Sequence, residues 1–111
     1  MIAHGHALSR LGEWAQAAAR YYAAIDIAPD SAEAYFHLAN ARAQMGDIAG
    51  AIDSLNDSLT FEPDRVAART NLGHLLRATG QREAALEEYR RALFLAPRDP
   101  TGRFNVASVF A

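Results

Sequence analysis

Side chains that both donate and accept hydrogen bonds recur along this sequence at an interval of 34 residues. One series is His6, Asn40, His74 and Ser108, and a second series, three residues earlier, is Ala3, His37, Asn71 and Asn105. Members of the two series pair at a spacing of 31 residues, as His74 does with Asn105. Because an amide carries a donor and an acceptor, a line of such groups suits the backbone of an extended peptide.

The histidines and acidic residues do not form a pattern typical of a catalytic or metal site. His6 and His37 could approach each other, but no HExxH or cysteine spacing supplies further ligands. The carboxylates are interspersed with arginines, and Glu87 and Arg91 have the four-residue spacing of a helical surface pair. No phosphate-binding loop or nucleophile motif is present. We therefore predict no enzyme, no metal and no cofactor.

The composition predicts a helical protein. Half of the 111 residues are hydrophobic, and the dominant alanine favours helices that approach closely. Eleven basic residues, all arginine, and thirteen acidic residues give a net charge of −2, which argues against a nucleic-acid partner. There is no cysteine for a disulfide. No signal peptide is evident and no apolar run approaches the roughly 20 residues of a membrane span, so we predict a cytoplasmic protein without membrane contact.

The helices that position the polar series follow from a repeat of 34 residues. Three registers show it, namely Pro29, Pro63 and Pro97, then Gly12, Gly46 and Gly80, then Ala17, Ala51 and Ala85. Proline ends the second helix of each repeat, and glycine breaks the chain between the two helices. The predicted helices are 2–10, 13–28, 31–44, 47–61, 65–78, 81–95 and 99–110.

Aspartates near the predicted helix starts are candidate N-caps. Asp30, with Glu33 three residues later, forms a capping-box pattern, and Asp64 has the matching place one repeat later. Asp47 is expected to cap the helix that follows Gly46, and Asp99 precedes a proline that fits the first helical position.

These residues resemble the tetratricopeptide repeat, which has small residues in the first helix, glycine at the turn, alanine early in the second helix and proline at the end. The match is fullest in "YFHLANARAQMGDIAGAIDSLNDSLTFEPD" and "RTNLGHLLRATGQREAALEEYRRALFLAPR". The resemblance implies an all-α, right-handed α-solenoid of about seven helices. It would form a single domain with a partial repeat (1–31), two full repeats (32–65 and 66–99) and the first helix of a fourth (100–111).

Small residues at Ala39 and Gly73 should face the alanines of the partner helix and let the two helices approach closely. Arg69, Arg82 and Ser58 replace apolar bulk or alanine at their registers, and we expect them to weaken packing locally.

The resemblance also indicates a binding face, because the first helices of this family line the concave side of the superhelix. The candidate partner-binding residues are Phe36, His37, Asn40, Thr70, Asn71, His74, Arg77, Phe104 and Asn105. Asn71 and Asn105 match the asparagine ladder of O-linked N-acetylglucosamine transferases, although they could instead satisfy a neighbouring helix. Phe36 and Phe104 would be either apolar sockets for a partner or inter-repeat packing.

Repeat domains that bind chaperone tails hold a terminal carboxylate with two asparagines and several basic residues. Asn40 and Asn71 match the asparagines, but Phe36, Thr101 and Asn105 stand where the basic residues belong. Without those charges a carboxylate loses most of its charge-assisted hydrogen bonding, so we do not expect this chain to bind such tails.

We therefore predict a non-catalytic scaffold that binds a protein or extended peptide. One alternative is a substrate-selecting or regulatory segment of a larger enzyme, such as a glycosyltransferase or sulfotransferase. Another is a self-assembling repeat module. Val109 and Phe110 are expected to leave the last helix partly apolar, whereas a terminal cap presents a polar outer face. Self-association through this exposed C-terminal helix would follow, or continuation of the array beyond it.

Overall fold

The structure is a computed structural model that describes residues 13–110. This part of the chain contains six α-helices and no strand, which confirms the all-α prediction. The helices are α1 (Trp14–Ile27), α2 (Ala32–Gln44), α3 (Ile48–Phe61), α4 (Val66–Ala78), α5 (Arg82–Leu95) and α6 (Pro100–Val109). Their ends agree with the predicted ends to within one residue. The helix predicted over 2–10, with Ala3, His6 and Gly12, lies outside the described residues.

The chain divides into two compact units, Met1–Pro63 and Asp64–Ala111. In the first unit α2 packs against both α1 and α3, and in the second α5 packs against both α4 and α6. Each described helix therefore finds its packing partner in the helix next to it along the chain.

Proline and glycine end the helices where the repeat predicts. The second helices α1, α3 and α5 stop two residues before Pro29, Pro63 and Pro97. Between the helices of a repeat, Gly46 and Gly80 have φ angles of 84° and 82°. Side chains other than glycine are strained in this left-handed region, so both turns depend on glycine.

The caps confirm part of the prediction. Asp47 accepts a hydrogen bond from the Gly50 N–H at 2.9 Å, and Asp99 accepts one from the Thr101 N–H at 3.0 Å. The prediction that Asp30 caps α2 was wrong, because α2 begins one residue later than expected and Ser31 is its N-cap. The Ser31 hydroxyl accepts a hydrogen bond from the Ala34 N–H at 3.2 Å.

Asp64 is not a cap either. The N-cap of α4 is Arg65, whose side chain makes no capping hydrogen bond. The α4 start is thus held by backbone hydrogen bonds to the Arg65 carbonyl, from Ala68 and Arg69.

The core is built from small residues facing large ones, as the repeat predicts. Ala51 and Ala85 are completely buried, and Leu55 and Tyr89, four residues later, are buried as well. Gly73 shows how closely two helices approach: a Cβ atom added to it would lie 2.5 Å from Cε1 of Tyr89. This contact fixes the α4–α5 packing.

Arg42 ties the three helices of the first unit together. Its Nη1 donates to the Ser54 hydroxyl at 2.7 Å and to the Gly50 carbonyl at 3.1 Å, both on α3. Its guanidinium carbon also lies 5.1 Å from the centre of the Tyr22 ring on α1, within cation–π range.

The departures from the repeat pattern form polar contacts in place of the apolar packing that they replace. The Ser58 hydroxyl donates to the Ala32 carbonyl at 2.8 Å inside the core. Arg69 forms an ion pair with Glu88, with Nη1 and Oε2 separated by 3.0 Å. Arg82 donates to the Val109 carbonyl and so holds the end of α6.

Candidate functional site

The predicted residues of the first unit lie together on α2, where Phe36, His37 and Asn40 are half-buried. The His37 ring stacks on Tyr21 of α1 at a centroid distance of 5.6 Å and meets the edge of Phe36 at 5.2 Å. Its Nε2 lies 3.7 Å from the Glu33 carboxylate. These contacts place His37 among aromatic rings with one polar edge toward Glu33.

The predicted residues of α4 are more open. Thr70 and Asn71 are half-buried, whereas His74 and Arg77 are exposed. His74 Nδ1 lies 2.7 Å from the hydroxyl of Tyr89, and the two rings meet edge to face at 5.4 Å. Because Tyr89 is buried, this hydrogen bond fixes the His74 ring while leaving part of the ring at the surface.

Arg77 joins α4 to α6. Its Nη1 donates to the Ser108 hydroxyl at 2.7 Å, and that hydroxyl donates in turn to the Asn105 carbonyl at 2.7 Å. Arg77 and Ser108 are 31 residues apart, which is the spacing predicted for His74 and Asn105. The predicted relation between the two helices therefore holds for a pair one turn further along.

On α6 the two predicted residues lie in different environments. Phe104 is 71% exposed, whereas Asn105 is only 5% exposed. Phe104 precedes Ser108 by four residues and so lies on the same side of α6 as the contact to Arg77. We call the surface formed by Thr70, Asn71, His74, Arg77 and Phe104 the first-helix face of the second unit.

Tyr21 and Tyr89 position the two histidines, and the sequence reasoning did not include them. The two tyrosines stand in one register, two repeats apart, with Leu55 between them. A large aromatic residue at this register, close to a histidine of a first helix, was the signal that could have identified both pairs.

Burial lowers the pKa of His74 below its ordinary value of 6.5, and the positive charge of Arg77 lowers it further. Burial also raises the pKa of the Tyr89 hydroxyl, which stays protonated. The site therefore presents a neutral imidazole beside a fixed guanidinium at neutral pH.

We expect acidification to destabilise the protein through His74. Because its pKa is lower in the folded chain than in the unfolded chain, the unfolded chain takes up the proton first, and the free energy of unfolding falls as the pH drops below 6.5. The variant His74→Asn, which places the Asn40 residue type at this register, should lose less stability between about pH 7 and about pH 5. Denaturant unfolding at several pH values measures this difference, and parallel curves would contradict it.

Residues 13–110 contain no group of three or more histidine, cysteine or acidic side chains that could hold a metal ion. Within the same part of the chain, no helix has the length and apolar character needed to cross a membrane.

Comparison with known proteins identifies the class. A model described as "TPR repeat" matches residues 5–46, and one described as "Tetratricopeptide repeat" matches residues 42–103, more than half of the chain. Together with the helix pairs described above, these matches show that the chain belongs to the tetratricopeptide repeat family.

Among curated proteins, the chain is similar to the mouse (Mus musculus) DnaJ homolog subfamily C member 3, with 30% identity over 95 residues. The match covers 86% of this chain and 19% of the relative, so the chain spans about a fifth of that protein's length.

Two solved structures share the fold. The first TPR of Spaghetti (RPAP3), bound to the HSP90 peptide SRMEEVD, has a TM-score of 0.93 at 19% identity and covers 98% of this chain and 86% of that one. The type III secretion chaperone SycD of Yersinia enterocolitica, in complex with a peptide of the translocator YopD, has a TM-score of 0.91 at 14% identity. That match covers 98% of this chain and 88% of SycD.

Proposed function

We propose that this chain is a protein-interaction module that binds an extended peptide, or an extended segment of a partner protein, on its first helices. The observation that carries the proposal is the first-helix face of the second unit. There the Arg77–Ser108 hydrogen bond joins two first helices beside the exposed ring of Phe104. Two structures of the same fold hold peptides, one from HSP90 and one from YopD, which supports a peptide as the ligand.

The groups on this face suit a peptide that is apolar and neutral rather than strongly acidic. Phe104 offers an aromatic surface, and aromatic residues are enriched among those that carry most of the binding energy in interfaces. Asn71 and His74 can each donate and accept hydrogen bonds, so they can orient a peptide backbone. Asn105 is buried, so the ladder role in this unit rests on Asn71.

The predicted result of a binding experiment follows from these roles. A peptide selected from a displayed random library against the whole chain should bind about tenfold or more weakly to Phe104→Ala, because truncating an anchor typically removes more than about 1–2 kcal/mol. Asn71→Ala should also weaken binding while leaving the circular dichroism spectrum unchanged. Fluorescence anisotropy of the labelled peptide measures both effects.

Phe94 provides the matched control, since it is 84% exposed but lies on α5, a second helix. Phe94→Ala should bind the selected peptide as the wild-type chain does. Selected peptides that lose affinity with Phe94→Ala and keep it with Phe104→Ala would contradict the proposal.

The HSP90 peptide SRMEEVD serves as a second probe. Phe36, Thr101 and Asn105 stand where the resembled chaperone-binding domains have basic residues, so this acidic peptide should bind much more weakly than a selected peptide. Binding of equal strength would show that the chain recognises carboxylates by another arrangement, and the preference for neutral peptides would be wrong.

A further inference from the structure

A second surface of α6 is open and differs from the first-helix face. It consists of Arg103, Ala107 and Phe110, which follow each other at spacings of four and three residues and so form one stripe along the helix. All three are exposed, and Phe110 is 67% exposed. We call these three residues the open stripe. Phe104 follows Arg103 directly and therefore lies about 100° further around the helix axis.

The same register on α2 is covered by α3. Tyr35, 68 residues before Arg103, stacks on Phe61 at a centroid distance of 5.9 Å. Ala39 is 1% exposed, and Arg42 donates hydrogen bonds to α3. In the first unit this register is therefore the seat of the following second helix.

The same register on α4 is covered by α5. Arg69 forms its ion pair with Glu88, Gly73 lies beneath the Tyr89 ring, and Leu76 is buried. The second unit thus repeats the arrangement of the first with different residues. In both cases the covering helix carries a small residue, and a large apolar residue four positions later fills the space.

The exposure of the open stripe does not come from a loosely attached helix. The adjacent face of α6 is packed on α5: a Cβ atom added to Gly102 would lie 3.1 Å from a Leu93 methyl carbon, and Val109 is buried. Arg82 of α5 also binds the Val109 carbonyl. α6 is fixed on one side, while the side that receives a second helix in the two preceding repeats is uncovered.

We propose that the open stripe binds an amphipathic helix of a partner. The stripe selects its chemistry: a small residue to lie against Ala107, a large apolar residue four positions later, and an acidic residue three positions after the small one to pair with Arg103. Ala85, Glu88 and Tyr89 of α5 show this pattern where it meets Arg69 and Gly73. The positive charge of Arg103 favours this acidic version over the Ser54 version of α3.

A second folded copy does not supply such a helix from its described residues. The helices with this pattern are α3 and α5, and their Ala51, Leu55, Ala85 and Tyr89 side chains are buried within their own units. The partner helix therefore comes from another source, and the site is independent of peptide binding on the first-helix face.

A synthetic peptide with the sequence of residues 81–97, which contains α5, is the probe. Labelled peptide titrated with the whole chain should bind the wild type, and Ala107→Leu should weaken binding at least about tenfold, since added bulk at a close contact is strongly unfavourable. Ala84→Leu is the matched control, because Ala84 is an exposed alanine on α5 and outside the stripe. It should bind as the wild type does.

A charge exchange tests the Arg103 contact. Arg103→Glu should weaken binding of the peptide about two- to fivefold, as expected for an exposed ion pair. The same peptide carrying Glu88→Arg should bind Arg103→Glu better than it binds the wild type.

Three results would overturn the proposal. One is equal binding of the peptide by Ala107→Leu and wild type, which would place the peptide elsewhere, for example on α4. Another is the absence of any preference in the charge exchange. The third is a dimer, seen by sedimentation without peptide and lost in Ala107→Leu, which would make a second copy the occupant of the stripe.

Discussion

Tyr89→Ala is expected to lower the free energy of unfolding by about 3–5 kcal/mol, the range for removing a large buried aromatic side chain. The Tyr89 ring is completely buried and lies directly over Gly73, so truncation leaves a cavity between α4 and α5. It also removes the hydroxyl that meets His74 Nδ1 at 2.7 Å. Urea unfolding followed by circular dichroism measures the loss.

The first unit supplies the matched control for this substitution. There the equivalent residues are Ala39 and Leu55, a larger residue facing a smaller one than in the Gly73–Tyr89 pair. Gly73→Ala should therefore destabilise the wild-type chain, because the new Cβ clashes with the Tyr89 ring. In the Tyr89→Leu background the same change should stabilise by about 0.5–1 kcal/mol, the helix preference for alanine over glycine. An effect of the same sign in both backgrounds would contradict this account of the packing.

Arg69→Ala is expected to cost about 2–4 kcal/mol, because it leaves the Glu88 carboxylate without its guanidinium partner in a nearly buried place. The two side chains are only 14% and 13% exposed, and Nη1 lies 3.0 Å from Oε2. The loss should shrink in the double variant Arg69→Leu/Glu88→Leu, which replaces both charges with apolar side chains. Denaturant unfolding of the single and double variants measures the coupling.

The control for burial is the pair formed by Arg91 and Glu87, which the four-residue spacing predicted. Its N–O distance of 2.6 Å is shorter than that of the buried pair, but its side chains are 52% and 62% exposed. Arg91→Ala should change stability by less than about 0.5 kcal/mol, since water screens an exposed pair. Equal losses for Arg69→Ala and Arg91→Ala would show that burial is not the deciding factor.

The sequence predicted the helices well because proline and glycine mark their ends at a constant interval. It predicted the small-residue core for the same reason, since Ala51 and Ala85 stand at fixed places in the repeat. It failed by one residue at the start of α2, where Asp30 and Ser31 are both good N-caps and the choice depends on the backbone of the preceding turn.

Side-chain partnerships between helices were harder to predict. Arg69 and Glu88 are 19 residues apart, and the repeat pattern alone marked Arg69 as a packing defect. The His74–Tyr89 hydrogen bond depends on the torsion angles of two side chains, which the register does not determine. The candidate face was located by register, but only the structure separates the exposed Phe104 from the buried Asn105.

The packing of each described helix on its neighbour along the chain has a kinetic consequence. Contacts between consecutive helices close only short loops, and proteins dominated by such local contacts fold quickly. In each unit, either helix pair can form before the third helix is in place. The order of folding events is then set by the relative stability of the two pairs, so a substitution such as Tyr89→Ala should redirect the second unit toward starting from α5 and α6.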